Sequence, residues 1–590
     1  MKNNETLLEV RNLTIAVKQG DAWLDLVKNI SFKLEQGKTL GIVGESGCGK
    51  SLTAQAIMRL LPQPDIKIRS GHIIYRGIDI MSLSSQELNK IRGNKIAMIF
   101  QEPMTALNPV RTIYSQIAEQ IKLHQPKLTK KNIQKQTLEL LTDVGIELAC
   151  ERQHNYPHQL SGGMRQRVMI AMALSCRPEL IIADEPTTAL DVTIQAQILD
   201  LLNSLQNKYN TSLLFISHDL GVIAQMCEHA LVMYDGHIIE SASIEQLFQH
   251  PQHPYSQALI LCSISKRHPC RQPLPSIQQA FDLDETEEQQ KQRFEQVLQQ
   301  YQQDKESFSQ NTKRVKADDE IILKASGLNK SFELNSSILS FKKQNFQAVK
   351  DVSLQLIKGQ TLGIVGTSGS GKTTLAKIIS GLLPANSGDI LFEGKRIFQG
   401  ESLNKKQRLA LAKKIQYIFQ DPQESLNSRH NIQALLTEPL KIHKIGDSDS
   451  QVTAAKKMLS LVGLPSSILS RYPHEFSGGQ KQRIGIARAL MLEPILLVCD
   501  EPVSALDVSV QAQILNLLVE LQQKLHLSMI FITHDLAVVR HIADDIAVMH
   551  KGEIIEYGNA LQICDRPQKS YTQQLIAAIP SWPITNNRLA

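Results

Sequence analysis

The sequence lacks any long apolar run, and this absence limits what the chain can do at a membrane. No stretch approaches the ~18 consecutive apolar residues that a membrane-spanning helix requires. The first ten residues, MKNNETLLEV, contain neither the apolar core nor the cleavage-like site of a signal peptide. We therefore expect a chain that neither enters nor crosses a membrane by itself.

Paired cysteines and blocks of like charge are missing as well. None of the 8 cysteines forms a C-x-x-C pair, so their spacing indicates neither a disulfide framework nor a zinc site, and we expect a reducing cytosol. The 64 basic and 58 acidic residues are interspersed and leave a net charge of +6. This mild charge disfavours polyanion binding as the main task of the chain.

At 590 residues the chain is too long for a single core, and an internal repeat divides it. The segment GIVGESGCGKS at residues 41–51 returns as GIVGTSGSGKT at residues 363–373. Other polar positions recur at nearly the same separation, namely Gln101 with Gln420, Ser161 with Ser477 and His218 with His534. The repeat predicts two homologous domains, residues 1–264 and 320–590, each closing with a C-terminal tail.

Within each copy, apolar runs typical of buried strands alternate with helix-biased segments. GKTLGIVG, ELIIADE and SLLFISHD in the first copy correspond to GQTLGIVG, ILLVCDE and SMIFITHD in the second. This alternation predicts an α/β fold in which helices pack on a mostly parallel sheet.

Residues 265–319, between the copies, are polar and rich in Gln, Glu and Lys. Such a composition buries little apolar surface. We expect a polar linker that is disordered or carries one exposed helix.

The repeated loop fits the pattern G-x-x-x-x-G-K-[ST] between a strand and a helix. Its glycines let backbone N–H groups cradle phosphates, Lys50 would reach the β and γ phosphates, and the Ser51 hydroxyl would hold Mg²⁺. The residues expected to contact nucleotide are Gly44, Glu45, Ser46, Gly47, Cys48, Gly49, Lys50 and Ser51 in the first copy, and Gly366, Thr367, Ser368, Gly369, Ser370, Gly371, Lys372 and Thr373 in the second.

An acidic pair ends a buried strand in each copy, beside the phosphate loop. Asp184 and Asp500 can hold the metal through water, and Glu185 and Glu501 are placed to polarise an attacking water. Up to this point the pattern predicts a P-loop NTPase with ATP and Mg²⁺ as cofactors.

A second anion site is predicted where LSGGMRQR and FSGGQKQR open a helix. A hydroxyl, exposed N–H groups and the helix dipole meet there. The residues concerned are Ser161, Gly162 and Gly163, and Ser477, Gly478 and Gly479.

Together these motifs resemble the ATP-binding cassette (ABC) superfamily over both repeats. The acidic pairs resemble Walker B motifs, and the Ser-Gly-Gly segments resemble signature motifs. Four further types of position match the family: the Walker A loops at 44–51 and 366–373, the Q-loop glutamines Gln101 and Gln420, the D-loop aspartates Asp191 and Asp507, and the switch histidines His218 and His534.

The resemblance implies roles that the residues alone do not show. It implies that each cassette has a RecA-like core, an antiparallel β subdomain and a helical subdomain. It implies that Gln101 and Gln420 help to bind Mg²⁺ and act in catalysis with His218 and His534. It also implies head-to-tail pairing, in which Lys50 works with Ser477 and Lys372 works with Ser161. Since both copies keep these groups, we expect two hydrolysing sites.

The two copies differ at the position where this family often stacks an aromatic ring on adenine. The second copy has Phe332 there, whereas the aligned residue of the first copy is Val17. Stacking contributes roughly 1–3 kcal/mol in nucleic-acid sites, so the first copy is expected to hold ATP more loosely unless Trp23 substitutes. Cys48 occupies a variable position of its loop, and we expect it and Cys499 to be inert thiols.

Three classes of ABC protein were compared: transporter motors, paired-cassette translation factors and DNA-repair ATPases. The segments DEPTTALD and DEPVSALD differ from the DEPTNHLD that is typical of translation factors. The sequence also lacks the zinc-binding cysteine pairs and the long coiled coils of repair ATPases. YPHQLSGG, YPHEFSGG and the paired tails HPQHPYSQALILCSI and RPQKSYTQQLIAAIP resemble importers of oligopeptides, dipeptides and nickel. The fused arrangement resembles single-chain peptide or glutathione importer ATPases.

This resemblance implies a peripheral protein on the cytoplasmic face of the inner membrane, with two membrane permeases and an extracytoplasmic solute-binding protein as partners. Peptides are the expected cargo, with glutathione or nickel as alternatives. We place the contacts that couple the chain to the permeases, the coupling contacts, at residues 104–109 and 423–429. We expect substitution of Leu107 or Leu426 to lower transport with little effect on basal ATPase activity. An iron–sulfur cluster is not predicted, because the first tail lacks a cysteine-rich ending.

Overall fold

The computed structural model describes residues 5–188, 190–263, 270–310, 320–334, 344–399, 403–421, 425–504 and 506–579. These residues divide into two compact units, of which the first ends at Ser263 and the second continues to Ile579. Among the described residues, no helix combines the length and the apolar character needed to cross a bilayer.

The first unit contains two sheets. Its strands in chain order are β1 (Thr6–Gln19), β2 (Ala22–Glu35), β3 (Thr39–Val43), β4 (Ile66–Tyr75), β5 (Ile78–Asp79), β6 (Ile96–Ile99), β7 (Leu180–Asp184), β8 (Ser212–Ser217), β9 (His229–Tyr234) and β10 (His237–Ser243). An antiparallel sheet has the order β2-β1-β4-β5, and a six-stranded sheet has the order β10-β9-β3-β8-β7-β6. In the larger sheet, β10 is antiparallel to β9 and the other neighbours are parallel.

The larger sheet positions the site because its central strands are buried along their whole length. Every residue of β3, β6, β7 and β8 is buried. Strands covered on both faces are continuous apolar runs rather than alternating patterns, as the sequence of this region indicates. The phosphate loop follows β3, and the acidic pair stands at the end of β7.

The helices of the first unit pack on this sheet or form a separate bundle. They are Lys50–Ile57, Ser85–Ile91, Pro103–Ala106, Ile113–His124, Lys130–Asp143, Ala149–Arg152, Gly162–Leu174, Val192–Tyr209, Leu220–Met226, Ile244–Gln249 and Pro254–Cys262. Ile113–His124, Lys130–Asp143 and Gly162–Leu174 pack against one another as a helical subdomain. Thr112 and Thr129 begin the first two by accepting backbone N–H bonds at 3.3 Å each.

The second unit repeats this plan. Its strands are β11 (Ile321–Leu334), β12 (Gln344–Ile357), β13 (Thr361–Val365), β14 (Ser387–Phe392), β15 (Lys395–Gln399), β16 (Ile415–Ile418), β17 (Leu496–Asp500), β18 (Ser528–Thr533), β19 (Asp545–His550) and β20 (Glu553–Asn559). The sheet orders are β12-β11-β14-β15 and β16-β17-β18-β13-β19-β20. The α/β fold with an antiparallel β subdomain and a helical subdomain in each cassette is therefore confirmed.

The helices of the second unit include the same bundle. After residue 320 they are Lys372–Ile379, Lys405–Lys414, Ile432–Ile442, Ser448–Leu461, Gly478–Leu490, Val508–Leu525, Leu536–Ile542, Ala560–Asp565 and Ser570–Ala577. Lys372–Ile379 follows the second phosphate loop, and Gly478–Leu490 follows the second Ser-Gly-Gly segment.

The segment between the repeats differs from the expectation of an exposed or disordered linker. It contains the helices Ile277–Ala280 and Glu287–Gln310, and the longer helix buries Phe294, Leu298 and Tyr301 at 4%, 5% and 8% exposure. These three residues follow i, i+4, i+7 spacing, so they share one face. A helix, one of the two alternatives predicted, is therefore present, but one of its faces is buried rather than exposed, because its few apolar residues are spaced along that face.

Candidate functional site

The phosphate loops adopt backbone shapes that only glycine accommodates at several positions. A Cβ on Gly44 would lie 2.1 Å from the Met233 carbonyl oxygen, and a Cβ on Gly366 would lie 2.1 Å from that of Met549. Gly49 has a φ of +103°, in the left-handed region that favours glycine. The glycines therefore permit a tight loop that leads directly into a helix, and the N-terminus of a helix favours bound anions.

The loop lysines are buried and held over their own loops. Lys50 Nζ donates to the carbonyl oxygens of Gly44 and Glu45, both at 2.8 Å. Lys372 Nζ donates to Gly366 and Thr367 at 2.8 and 3.1 Å. Burial lowers the pKa of Lys372, partly offset by Glu501. A buried cation at this place is positioned to bind phosphate oxygens.

Each loop hydroxyl is brought to the aspartate of its own unit. Ser51 Oγ lies 2.9 Å from Asp184 Oδ1, and Thr373 Oγ1 lies 3.1 Å from Asp500 Oδ1. Burial raises the pKa of Asp184 to about 6, since the hydrogen bond from Ser51 does not offset the loss of water. Hydroxyl and carboxylate oxygens are hard donors, and this donor set fits Mg²⁺ shared with phosphates.

The catalytic candidates of the first unit converge on one carboxylate oxygen. Glu185 Oε2 accepts from Gln101 Nε2 at 3.0 Å and from Thr188 Oγ1 at 2.9 Å, and lies 3.2 Å from His218 Nδ1. Glu185 has a φ of +46°, an unusual backbone conformation for a non-glycine residue. Glutamine, histidine and glutamate that are far apart in the chain therefore form one cluster.

The charge state of this cluster is set by the pairing of histidine and glutamate. Burial raises the pKa of Glu185, but His218, Lys50 and Thr188 outweigh burial and hold it at about 2. Burial lowers the pKa of His218, and Glu185 more than compensates, so the net shift is upward. A carboxylate with such a low pKa is ionised and can orient a water molecule by accepting a hydrogen bond from it. It is a weak base for removing the proton of that water.

The second unit reproduces the cluster with small differences. Glu501 Oε2 lies 3.3 Å from Gln420 Nε2 and 3.2 Å from His534 Nδ1, and Glu501 Oε1 lies 3.9 Å from Lys372 Nζ. The pKa of Glu501 is lowered although burial raises it, chiefly by His534. Both units therefore bring glutamine, histidine and glutamate together, but Ser504, at the position of Thr188, donates to the backbone oxygen of Glu501 at 3.2 Å rather than to its carboxylate.

A tyrosine that the sequence comparison missed distinguishes the second site. Tyr417 donates its hydroxyl to Asp500 Oδ2 at 2.5 Å. Tyr417 and Met98 are the third residues of β16 and β6, and each strand pairs in parallel with the strand that ends in the Walker B aspartate. Comparing IQYIF with IAMIF would have found this difference.

The Ser-Gly-Gly segments begin helices, as predicted, and their second glycines serve packing. Ser161 Oγ accepts from Met164 N at 3.4 Å, within its own helix. A Cβ on Gly163 would lie 2.8 Å from Ile194, and a Cβ on Gly479 would lie 2.3 Å from Val510. Nucleotide contact by Ser161, Gly162, Gly163, Ser477, Gly478 and Gly479 stays a prediction.

The aromatic candidates lie on the antiparallel sheets. Phe332 is 38% exposed, with Lys330 Nζ 5.5 Å from its ring centroid. Lys67 Nζ lies 3.8 Å from the centroid of the Trp23 ring. Val17 of β1 pairs with Leu24 of β2. Adenine stacking by Phe332 stays a prediction, while the Trp23 ring is already covered on one side by a lysine.

Two residues chosen for the coupling contacts are unsuitable for that role. Leu107 and Leu426 are 2% and 3% exposed, so they belong to the core and were wrongly chosen as contacts. Met104 and Val110, close by in the chain, are 54% and 79% exposed. Gln423, at the start of the second patch, lies outside the described residues.

Comparison with known proteins agrees with the motifs. A family model described as ABC transporter matches residues 27–188 and 349–504. A second model, described as oligopeptide/dipeptide transporter, C-terminal region, matches residues 239–295 and 555–589. The tails were assigned to such a family on the basis of their sequence alone.

Curated relatives match nearly the whole chain. The glutathione import ATP-binding protein of Salmonella paratyphi A is 43% identical over 583 residues, which covers 98% of this chain and 90% of the relative. The proteins of the same name from Pectobacterium atrosepticum and Escherichia coli O157:H7 are 43% and 44% identical and cover 98% and 97% of this chain. They extend over 90% and 89% of those relatives.

Solved structures match about two fifths of the chain. A dimeric bacterial ABC transporter cassette is 29% identical and covers 40% of this chain and 99% of its own, with a TM-score of 0.37. A part of an ABC transporter complex from Clostridium perfringens is 29% identical and covers 42% of this chain and 92% of its own, with a TM-score of 0.37.

Proposed function

The chain belongs to the ABC transporter family of ATP-binding proteins, and on that premise we propose that it hydrolyses ATP to drive import of peptides or peptide-like compounds through membrane permeases. The observation that carries this proposal is 43% identity over 98% of the chain to a glutathione import ATP-binding protein. Both units also keep the complete set of hydrolytic groups, which supports a motor with two active sites.

The loop residues would bind the phosphates, and the oxygen donors beside them would hold the metal. Ser51 with Asp184, and Thr373 with Asp500, are the pairs that would hold Mg²⁺. Gln101 and Gln420 would join them, as the family resemblance implies. When bound, Mg²⁺ supplies neutralisation of the phosphate charge.

Each glutamate would orient the attacking water. Glu185 is held by Gln101, Thr188 and His218, so residues of its own unit set the orientation of its carboxylate. A preorganised acceptor lowers the barrier because no rearrangement is needed during the reaction. Glu501, Gln420 and His534 would act in the same way. We further propose that Ser161 and Ser477 contact nucleotide.

Exposed apolar side chains near the Q-loops are the proposed contacts with the permeases. In the first unit, a cavity of about 170 Å³ is lined by Phe100, Ala106, Met169 and other residues, and Met104 and Val110 are exposed nearby. In the second, a cavity of about 310 Å³ is lined by Phe419 and Ile442 among others, which are 44% and 57% exposed. An apolar permease segment would bury these side chains.

This docking proposal can be tested with exposed rather than buried residues. Met104→Ser combined with Val110→Ser should lower cargo uptake while basal ATP turnover stays near that of the wild type. Lys127→Ser, at an exposed position on the same unit, is the control. Equal loss of uptake and turnover would count against docking at this surface.

Glutathione is the first cargo to test, because it is a small peptide and because the names of the relatives describe them as glutathione importers. Permeases with an extracytoplasmic solute-binding protein would select the cargo, and the chain would work at the inner membrane face. Nickel import is the alternative within the same family.

The deciding experiment measures uptake in cells that lack the chain and are supplied with variants of it. Labelled glutathione, a dipeptide and nickel are compared for the wild type, Lys50→Ala and Lys372→Ala, with Lys127→Ala as the control. We expect uptake of glutathione or the peptide to require both loop lysines. Unchanged uptake of every cargo, or cofractionation with ribosomes instead of membranes, would favour the alternative of a translation factor.

A further inference from the structure

The C-terminal tail of each cassette reaches the phosphate loop through a tyrosine. In the first unit, the Tyr255 hydroxyl accepts a hydrogen bond from the backbone N–H of Glu45 at 3.4 Å. In the second, the Tyr571 hydroxyl accepts from Thr367 N at 3.1 Å and lies 3.0 Å from Thr367 Oγ1. Glu45 and Thr367 occupy the same loop position, so this contact occurs twice.

Each tail is anchored to its sheet by a glutamate at the start of the tail. Glu240 on β10 accepts backbone N–H bonds from Gln252 and His253, at 2.9 and 3.1 Å. A carboxylate at this end of a helix also interacts favourably with the helix dipole. The tail helix Pro254–Cys262 begins at the next residue, so the anchor fixes where the tyrosine lies.

The second unit has the same anchor. Glu556 on β20 accepts from Gln568 N at 2.8 Å and from Lys569 N at 3.3 Å. Thr572 Oγ1, one residue after the tyrosine, also donates to Glu556, at 2.5 Å. The repetition of the anchor argues that the tail position is specified rather than incidental.

Ring packing then aims each hydroxyl at the loop. Tyr255 is fully buried, with its ring centroid 4.3 Å from that of Tyr234, the last residue of β9. Tyr571 lies 4.0 Å from His550, the last residue of β19. Strands β9 and β19 are neighbours of β3 and β13, the strands that lead into the loops.

The loop backbone is also held at a second point. Gly236 N, after β9, donates to the Cys48 carbonyl at 3.2 Å, and Gly552 N, after β19, donates to the Ser370 carbonyl at 2.9 Å. In each unit, the turn after β9 or β19 thus bonds to the later part of the phosphate loop, and the tail tyrosine bonds to the beginning of that loop. These two supports flank the residues whose N–H groups would face phosphate.

We propose that Tyr255 and Tyr571 are positioning residues that hold the phosphate loops in their binding shape and make ATP affinity depend on a docked tail. This inference rests on the proposed ATP-dependent function and assigns a role to the tails within it. Because linkage is reciprocal, bound ATP also stabilises the docked tail.

The test removes one hydroxyl and keeps the ring. Tyr255→Phe is placed in a full-length Lys372→Ala background, so that nucleotide binding reports on the first site, and affinity is measured by titration with a fluorescent ATP analogue. We expect binding to weaken by about three- to tenfold, the effect of one hydrogen bond. Tyr75→Phe is the matched control, since its hydroxyl bonds Glu179 at 3.0 Å in the same unit, away from the loop.

The second unit offers an independent repeat. Tyr571→Phe in a Lys50→Ala background should weaken binding by a similar factor, with Tyr557→Phe as the control because its hydroxyl bonds the Gln355 carbonyl at 3.0 Å. Amide hydrogen exchange supplies a readout that packing alone would not change. ATP should slow exchange in the tail helices of the wild type, and this protection should be lost in the tyrosine variants.

The inference alone would be overturned by unchanged affinity in both tyrosine variants, or by equal weakening in the control variants. Failure of ATP to protect the tail in the wild type would also overturn it. A wild-type chain that binds no ATP would overturn the proposed function and this inference together, so the two failures are distinguishable.

Discussion

At the residue scale, the glutamates after β7 and β17 are the groups proposed to orient the attacking water at the two sites. Each is an ionised carboxylate held by a glutamine and a histidine from distant parts of the chain. We expect Glu185→Gln and Glu501→Gln each to lower steady-state ATP turnover by about half or more, because an amide polarises water poorly. Turnover is measured for each variant separately, with the exposed Glu139→Gln as the control. Unchanged turnover in one variant would mean that only the other site hydrolyses.

Glu179, the residue just before the strand that ends in Asp184, leads to a prediction about the pH dependence of stability. Burial raises its pKa, but hydrogen bonds from Lys95, Arg76 and Tyr75 outweigh burial and hold it at about 2. The folded pKa lies below the unfolded value of about 4.3, so the stabilisation is present above that value and is lost as pH falls towards 2.

Glu179→Gln should therefore destabilise the first unit by about 1 kcal/mol at neutral pH, and the difference from the wild type should shrink below about pH 4. Urea unfolding at pH 7, 4 and 3 checks this expectation, again with Glu139→Gln for comparison. A deficit that does not change with pH would show that the ion pairs are not its source.

At the scale of elements, the loop after the short helix Pro103–Ala106 contains one buried and one exposed apolar residue. Leu107 is 2% exposed and Val110 is 79% exposed. Leu107→Ala should destabilise the first unit by about 2–5 kcal/mol, because it leaves a cavity in the core. Val110→Ala should change the unfolding transition little. Urea unfolding of both variants tests the difference, and similar transitions would contradict the burial of Leu107.

Asn516 is one of the side chains that hold the segment between the repeats to the second unit, and the ion pair of Arg271 with Asp544 is another such contact. Asn516 Oδ1 accepts from Leu274 N at 2.9 Å, and Asn516 Nδ2 donates to the Leu274 carbonyl at 2.6 Å. Asn516→Ala should release the segment, so proteolysis around residues 270–281 should quicken several-fold. Gln511→Ala, on the same helix, is the control for the helix itself. Unchanged cleavage would show that the other contacts of the segment, among them the Arg271–Asp544 ion pair, suffice to hold it.

At the scale of the whole molecule, the two sites share their hydrolytic groups and differ in their surroundings. Two of the differences are Phe332 at the position of Val17 and Tyr417 at the position of Met98. Phe332→Ala should weaken ATP binding at the second site by roughly 1–3 kcal/mol if the ring stacks on adenine. Val17→Phe should tighten the first site. Nucleotide titration of each site separates the two effects, and unchanged affinity in both variants would exclude these positions from adenine binding.

The sequence by itself determined the chemistry and its duplication. A phosphate loop, a metal-binding hydroxyl and an acidic pair are each encoded in a few consecutive residues, and their geometry follows from a strand and the turn after it. Fold class and family could be predicted for the same reason, since every motif occurs twice in the same order.

Only the tertiary structure decided which distant residues meet. Tyr417 reaches Asp500, Tyr255 reaches Glu45, and Leu107 turns into the core, although spacing along the chain does not distinguish these outcomes. A helix was one of the alternatives predicted for the segment that contains Phe294, but the burial of its apolar face was not predicted, because burial needs a partner surface that composition does not reveal. The physical reason is that such contacts depend on how strands and helices pack, whereas loop chemistry depends on neighbouring residues.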